Sequence, residues 1–437
     1  AATRAHVTDC VSVILGVSSA PHLLRDGHKV TVVDRGAPGE GCSQRNAGLF
    51  ASYAFVPLSM PGVLAQIPKW ILDPLGPLAI RWRHAPWMLP WLVRFVRAGR
   101  PERVAEICDA LAPLLASSLE EHQSLARGTA AEGLICSQGY MYVYEDAASL
   151  AKDSLAWRLR SERGSDVRPL TAGDIRDREP ALAPIYRHGY FLPGLGYTVD
   201  PMNLVKGLAR QVERSGGVVL RRQVRDIDIG PDGPRRLIAD EGDLDLDVLV
   251  IAAGARSGRL AARLGSPVPL EGERGYHVIL PNRGITLKTA VFAASSKFVA
   301  TPVESGIKFA GTSEFSGLDA PPNGARARIL VAHARRRVPG SDTAGIAITI
   351  QRPVTRKLAP ENPIQAASNG SRHKTKVSVS GNCSSQASPS PAPKQLVTSS
   401  SSPRTFANAR RVQRPQDCSE HTLPSISTTP LPASATA

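Results

Sequence analysis

The sequence predicts an α/β protein: a nucleotide-binding domain opening on a βαβ unit, a second α+β domain built on a mixed sheet, and a disordered C-terminal tail. Three observations carry this reading. Val11–Arg35 reads as strand, turn, helix and strand, and the second strand closes on an acidic residue. Apolar or alternating runs bounded by Gly and Pro then interleave with helical periodicity as far as about Thr349. Beyond that point Ser, Pro, Thr and Ala with scattered Arg are too poor in large apolar residues to bury a core.

A chain of 437 residues with 42% hydrophobic and 21% charged residues suits a multidomain soluble protein. The net charge of +15 is uneven: from Ile346 onward eleven Lys or Arg face three Asp or Glu. That tail reads as a solvated segment. Its basic residues are not interleaved with aromatics, so no nucleic-acid partner is expected. The cysteines at 10, 42, 108, 136, 383 and 418 show neither metal-ligand nor redox spacing, and no metal is expected. No secretory leader is read ahead of the first strand. No run approaches the ~20 apolar residues of a spanning helix, and the longest, Ala85–Val96, is broken by Pro86, Pro90 and Arg94. The expectation is a cytoplasmic protein.

In chain order, Val11–Leu15 is the first apolar run and Gly16 the turn. Ser18 or Ser19 caps the helix, Pro21 sits in its first turn, Leu23 and Leu24 face the sheet, and Gly27 stops it. Lys29–Asp34 is a buried parallel strand. Asp34 at its tip can accept two ribose hydroxyls and would repel a 2′-phosphate; a solvated strand end is the alternative. The dinucleotide fingerprint G-x-G-x-x-G would place glycines at 11, 13 and 16, where the chain has Val11, Val13 and Gly16. A Cβ at the second position meets the pyrophosphate, and the strain of roughly 1–3 kcal/mol lowers cofactor affinity by about one to several powers of ten.

Gly36–Tyr53 contains Gly41-Cys42-Ser43-Gln44-Arg45-Asn46-Ala47-Gly48, suited to a loop against a phosphate or ring, or to a plain glycine-rich loop. Residues 57–100 interleave Trp70, Trp82, Trp87 and Trp91 with Arg81, Arg83, Arg94 and Arg97. Two readings stay open there: a surface lying on a membrane, or a helical excursion packed on its own domain. Glu102–Ala126 reads as one helix, Gly133–Tyr144 as a strand pair turning at Gln138-Gly139, and Ser149–Arg163 as a helix. Arg187–Val199 reads as a strand, and Asp200-Pro201 opens the helix Met202–Arg214. Val218–Leu220 and Val224–Ile229 are short strands. Leu244–Ala253 is a strong one, whose small residues Ala253-Gly254 let a ligand approach the backbone. Gly272–Leu280 carries Arg274, Tyr276 and His277, and alternation puts the first two on one face and His277 on the other. Arg274 could equally be a surface strand arginine. Lys297–Thr312 gives two strands, and Ala325–Arg337 a helix closed by Pro339-Gly340.

Six features in register resemble the FAD-dependent D-amino-acid oxidase superfamily, and within it bacterial D-amino-acid dehydrogenases, over roughly residues 7–345. They are the opening βαβ unit, Asn46-Ala47-Gly48, Gly196-Tyr197-Thr198-Val199-Asp200-Pro201, Ile251–Ser257, Arg274–His277 and Phe309–Phe315. The resemblance implies a Rossmann-like FAD-binding domain at 7–56 and 200–265, a substrate domain at 57–199 and 266–345, and a non-homologous tail at 350–437. It assigns FAD contacts to Gly16, Asp34, Arg35, Ser43, Asn46, Ala47, Gly48, Val224, Ala253 and Gly254, with Arg274, Tyr276, His277 and Tyr53 as candidates facing the substrate. It implies that hydride passes from the Cα of a D-amino acid to flavin N5, and that the imino acid hydrolyses to a 2-oxo acid and ammonia. A respiratory-chain acceptor and a peripheral membrane contact follow as expected partners. A glycine, sarcosine or proline oxidase, and a non-catalytic remnant with impaired FAD binding, are the alternatives. In the family an Arg-Pro element and a glycine-rich return segment close over the flavin; only Gln351-Arg352-Pro353 resembles it.

Overall fold

The computed structural model describes residues 5–11, 14–73, 78–281, 285–339, 347–350 and 354–357. It opens on β1 (His6–Val11), α1 (Ile14–Arg25) and β2 (Lys29–Asp34). The strand therefore precedes the apolar run read as strand, and Ile14 and Leu15 belong to the helix. With the helix starting at Ile14, Ser18 and Ser19 are interior rather than caps: the Ser19 hydroxyl donates to the Leu15 carbonyl at 2.8 Å. Pro21 likewise lies inside the helix, not in its first turn, and cannot donate to the Val17 carbonyl. Gly27 does end the turn, at φ +85°. Val13 and the side chain of Val11 lie outside the described residues.

Val218–Arg221, β2, β1 and Val248–Ala252 form, in that order, a wholly parallel four-stranded sheet. The helix Pro201–Arg214 covers it beside α1, burying Leu204, Val205, Leu208 and Val212 against Ile14, Leu15, Val17 and Ala20. It starts where it does because the Asp200 carboxylate accepts from Met202 N at 3.0 Å and Asn203 N at 2.9 Å, with Pro201 in the first turn.

A larger mixed sheet runs Ala347–Ile350, Leu270–Pro281, Gly306–Phe315, Phe298–Val303, Ala290–Ala293, Tyr140–Tyr144, His188–Leu192 and Arg168–Thr171. Its two faces differ. Met141, Val143, Tyr276, Val278, Ile307 and Phe309 pack on one side with Ala327, Leu330 and Ala334 of the helix Gly324–Arg337. Tyr140, Tyr142 and Val299 turn to the other, with Tyr53 and the Ala47–Ala51 stretch.

Several element readings change. The expected helix 102–126 is two, Pro101–Leu115 and Ser118–Ala126. The expected helix 149–163 is Ala147–Lys152 and Ser154–Glu162. Ile135–Cys136 does not pair with Tyr140–Tyr144: it joins Gly196–Thr198 and Leu49–Phe50 in a separate small sheet, so the expected strand 187–199 is split between two sheets. Two short strands lie where the sequence reading has the tail begin. Ala347–Ile350 and Val354–Lys357 both pair antiparallel with Leu270–Pro281. Arg352 and residues 358–437 lie outside the described residues.

β1 also carries an anomaly. Asp9 is fully buried between Val32 and Val250, and neither carboxylate oxygen has a hydrogen-bond partner among the described residues. Burial pushes its pKa well above the usual carboxylate range. The folded state then holds a proton that the unfolded state releases, so stability falls as pH rises from the unfolded Asp pKa of about 3.9 toward the folded value. Asp9→Val is expected to raise stability at neutral pH by roughly 1–3 kcal/mol. The gain should shrink toward pH ~4, as read by denaturant melts across pH.

Candidate functional site

The carboxyl edge of the parallel sheet brings together the end of β1, the start of α1, Asp34 at the tip of β2, and Ala253-Gly254 just past Val248–Ala252. Val11 and Ala252 are register partners there, and Gly254 adopts φ +54°. Gly16 is buried in the first turn of α1. The Ile14 N–H donates to Ser43 Oγ at 3.2 Å, so a hydroxyl from the following loop sits at the positive end of the helix. Asp34 is half-buried, its Oδ1 accepting from Gly36 N at 2.8 Å. Arg35 is exposed, and its carbonyl accepts from Arg221 Nε at 3.3 Å. Val224 pairs with Ala239 in a three-stranded sheet apart from the parallel one.

The loop 43–48 is fastened to the polar part of the mixed sheet. Lys308 Nζ lies 3.4 Å from the Gln44 carbonyl and 3.3 Å from the Asn46 carbonyl. His277 hydrogen-bonds the backbone of Arg45. Thr301 Oγ1 donates to the Ala47 carbonyl at 2.8 Å, and Thr198 N to the Gly48 carbonyl at 2.7 Å. Asn46 Oδ1 accepts from Gly48 N at 2.8 Å, closing the turn on itself. Every residue from 44 to 48 is thus held through its backbone.

The charges behind the loop are set by burial. Burial lowers the Lys308 pKa to about 8, against the attraction of Asp200. Burial, then Lys308 and then Arg45 lower that of His277 to about 3, so its imidazole is neutral at ordinary pH. Its Nδ1 is buried without a hydrogen-bond partner among the described residues.

Arg274 and Tyr276 share a face, but it is the face packed on Gly324–Arg337, opposite to His277. Glu314, 2% exposed, gathers them. The Tyr276 hydroxyl donates to its carboxylate and accepts from Asn323 N at 3.0 Å. Arg274 Nη1 lies 3.8 Å from it while Nη2 donates to the Ala320 carbonyl at 2.6 Å. Arg81 Nε takes the other oxygen at 2.7 Å. Tyr53 is buried on the loop side, and its hydroxyl donates to that of Tyr140 at 3.1 Å.

The structure therefore brings Ser43, Asn46, Ala47 and Gly48 together with His277, places Tyr53 on the same side, and separates Arg274 and Tyr276 by the thickness of the sheet. Three residues the sequence reading passed over join the loop side: Lys308, Thr301 and Arg160. The guanidinium of Arg160 stacks 4.6 Å from the Trp157 ring centroid and 5.3 Å from that of Tyr53, and Nε lies 3.4 Å from the Tyr53 carbonyl. No carboxylate pairs with it among the described residues. A lysine between Ile307 and Phe309 in an alternating strand was the available signal for Lys308.

Because the Lys308 ammonium gives up its proton near pH 8 in the folded state and near 10.4 when unfolded, the unfolded state holds more protons between those values and stability rises with pH across that window. Lys308→Met should remove that rise, read by urea melts on either side of the window.

The FAD dependent oxidoreductase (DAO) family model matches residues 14–376. The match starts at the first residue of α1 and runs past the strand Val354–Lys357. A D-amino-acid oxidase of Bradyrhizobium diazoefficiens is 37% identical over 331 residues, covering 75% of this chain and 78% of the relative. A D-amino acid dehydrogenase of Paramagnetospirillum magneticum is 30% identical over 339 residues, covering 75% and 79%. Among solved structures, glycine oxidase from Bacillus cereus superposes with a TM-score of 0.58 at 18% identity over 86% of this chain and 89% of that one, a likeness of fold. On these matches and this architecture, the chain belongs to the DAO family of FAD-dependent oxidoreductases.

Proposed function

We propose that this protein oxidises D-amino acids to 2-oxo acids and ammonia with FAD, and that its electrons leave to an acceptor of the respiratory chain. In this reading residues 7–56 and 200–265 hold the cofactor, and residues 57–199 and 266–345 cover it. The observation that carries it is the fastening of residues 44–48. Carbonyls engaged on the sheet side, with the amides of Gln44, Arg45, Asn46 and Gly48 donating within the loop and its approach, make the run a fixed backbone wall for a ligand to lie against.

The residues present fit FAD in two further respects. Asp34 stands at the strand tip where a carboxylate meets ribose hydroxyls, and the buried Nδ1 of His277 lacks a partner on the loop side. When bound, FAD supplies the two-electron oxidising chemistry. The chain supplies position: Asp34 would hold the ribose and the loop 43–48 would back the cofactor, while His277, neutral at working pH, keeps the loop in place. Arg274 and Tyr276 act from behind, keeping the strand Leu270–Pro281 in register through Glu314. Arg160, with Tyr53 and Tyr142 around it, is the cation offered on the loop side to a substrate carboxylate.

A second reading, a non-catalytic remnant, is favoured by the partnerless Asp9 in β1 and by the Ser43 hydroxyl already on the Ile14 amide. The visible spectrum separates the two. The active form copurifies with flavin that bleaches anaerobically on D-alanine and turns over with an artificial acceptor. A protein that stays colourless in excess FAD rejects it, and oxygen uptake with glycine, sarcosine or proline in place of D-amino acids redirects the substrate. Asp34→Ala should weaken FAD binding by about 10–100-fold, the worth of charge-assisted hydrogen bonds to two hydroxyls. Arg160→Met should raise KM for the amino acid more than it lowers kcat, in steady-state kinetics.

A further inference from the structure

Glu179 closes the helix Ala172–Arg178 and is 1% exposed. Its side chain reaches a turn 110 residues further along the chain, where Oε1 accepts from Thr289 N at 2.5 Å. Oε2 is buried with no hydrogen-bond partner among the described residues. A carboxyl that serves packing alone ordinarily has both oxygens engaged.

Two arms run from that turn to the loop side of the mixed sheet. In the first, Thr289 Oγ1 donates to the Gly139 carbonyl at 2.7 Å. Gly139 leads into Tyr140, whose hydroxyl accepts from that of Tyr53 at 3.1 Å, and the Tyr53 carbonyl meets Arg160. Gly139 holds φ +80°, and a Cβ there would strike the Phe191 ring, so this turn has little room to absorb a shift. In the second arm, the Tyr197 hydroxyl reaches Gln138 Oε1 at 3.0 Å and the Lys288 carbonyl at 3.4 Å. Tyr197 pairs with Leu49, and the next amide, Thr198 N, donates to the Gly48 carbonyl at 2.7 Å.

We propose that Glu179 is a positioning residue: through the Lys288-Thr289 turn its carboxyl sets both the Tyr140–Tyr53 pair and the loop 43–48, and its charge state moves them together. Their place in a flavin site rests on the proposed oxidation; the coupling itself does not. The carboxyl has two states. Protonated, it is neutral, Oε1 still accepts from Thr289, and Oε2 carries the proton. Ionised, it is a charge in a dry pocket, facing the ammonium of Lys288, an exposed residue of the same turn. The Tyr197 phenol also faces it, with the Cys136 thiol hydrogen-bonded behind that phenol. Its neighbour Arg178 is engaged elsewhere, stacked 4.2 Å from the Phe191 ring centroid. Burial pushes the Glu179 pKa up to about 7, against the Thr289 and Lys288 backbone and the Lys288 ammonium. The folded state therefore keeps a proton that the unfolded chain releases near about 4.3. The clasp is tightest in acid and loosens as pH rises through the folded value. Loosening draws Lys288 toward the carboxylate and takes the contacts of Tyr197 and Gly139 with it.

The test is amide hydrogen exchange of the full chain by mass spectrometry at about pH 6 and about pH 8, corrected for intrinsic exchange. Peptides over residues 44–50, 138–142 and 196–199 should exchange about tenfold or more faster at the higher pH. Glu179→Gln keeps the acceptor for Thr289 and cannot ionise, so those peptides should stay slow at both values. Lys288→Met removes the facing cation at an exposed position and should move the midpoint of the step to higher pH. It tests the proposal even if Glu179→Gln fails to fold. A step that persists in Glu179→Gln, a step in the parent confined to residues 286–290, no step at all, or a midpoint that Lys288→Met leaves in place overturns it. Amide exchange needs no turnover, so failure here leaves the proposed oxidation standing. A protein that stays colourless in excess FAD yet keeps the step loses the oxidation and retains the coupling.

Discussion

The contact between the loop 43–48 and the polar row on the mixed sheet is the constraint on which the rest of the site depends. Most of that face is aromatic, with Tyr140, Tyr142 and Tyr144 on one strand. Lys308, His277 and Thr301 interrupt it on three other strands. A buried ammonium is costly unless its donors are satisfied, and two loop carbonyls together with the attraction of Asp200 offset the cost. Since Asp200 also caps the helix that covers the parallel sheet, one carboxylate serves both the fold and the charge beneath the loop.

Glu314 does comparable work on the opposite face. Its buried carboxylate takes Arg81, Arg274 and the Tyr276 hydroxyl. Removing one partner of such a group leaves a buried charge uncompensated, and here three partners from two stretches converge on it. The network joins the strand Leu270–Pro281 to the segment that leads into the helix Ala85–Ala98. The two faces of the strand thus serve different ends: His277 faces the loop, while its neighbour Tyr276 secures the far side.

Much of the first domain was legible in the sequence because its signals are local. Lys29–Val33 is an apolar run, Gly27 stops a helix, Asp34 follows a buried strand, and Asp200-Pro201 opens a helix. What escaped was non-local. Alternation says that Arg274 and Tyr276 share a face but not which face, because that depends on the helix Gly324–Arg337 packing there from a distant stretch. The 133–144 segment looked like a hairpin because its turn residues are adjacent, yet Ile135–Cys136 finds its partner at Gly196–Thr198. The first helix starts two residues earlier than a turn at Gly16 allows, because Gly16 lies in the first turn of α1 and Pro21 is accommodated in the interior. Lys308 was passed over because one charge in an apolar strand reads as exposed until the neighbouring carbonyls are known.

The bond from Ile14 N to Ser43 Oγ has a consequence for how the protein is assembled. The first amide of α1 has an acceptor from within the chain, so the helix can begin without waiting for an anion to arrive. For that amide, at least, helix formation does not depend on ligand supply. The same economy sets the terms of any later binding: an incoming phosphate trades one hydrogen bond for another at that amide, and its net gain must come from the charge it brings to the helix end.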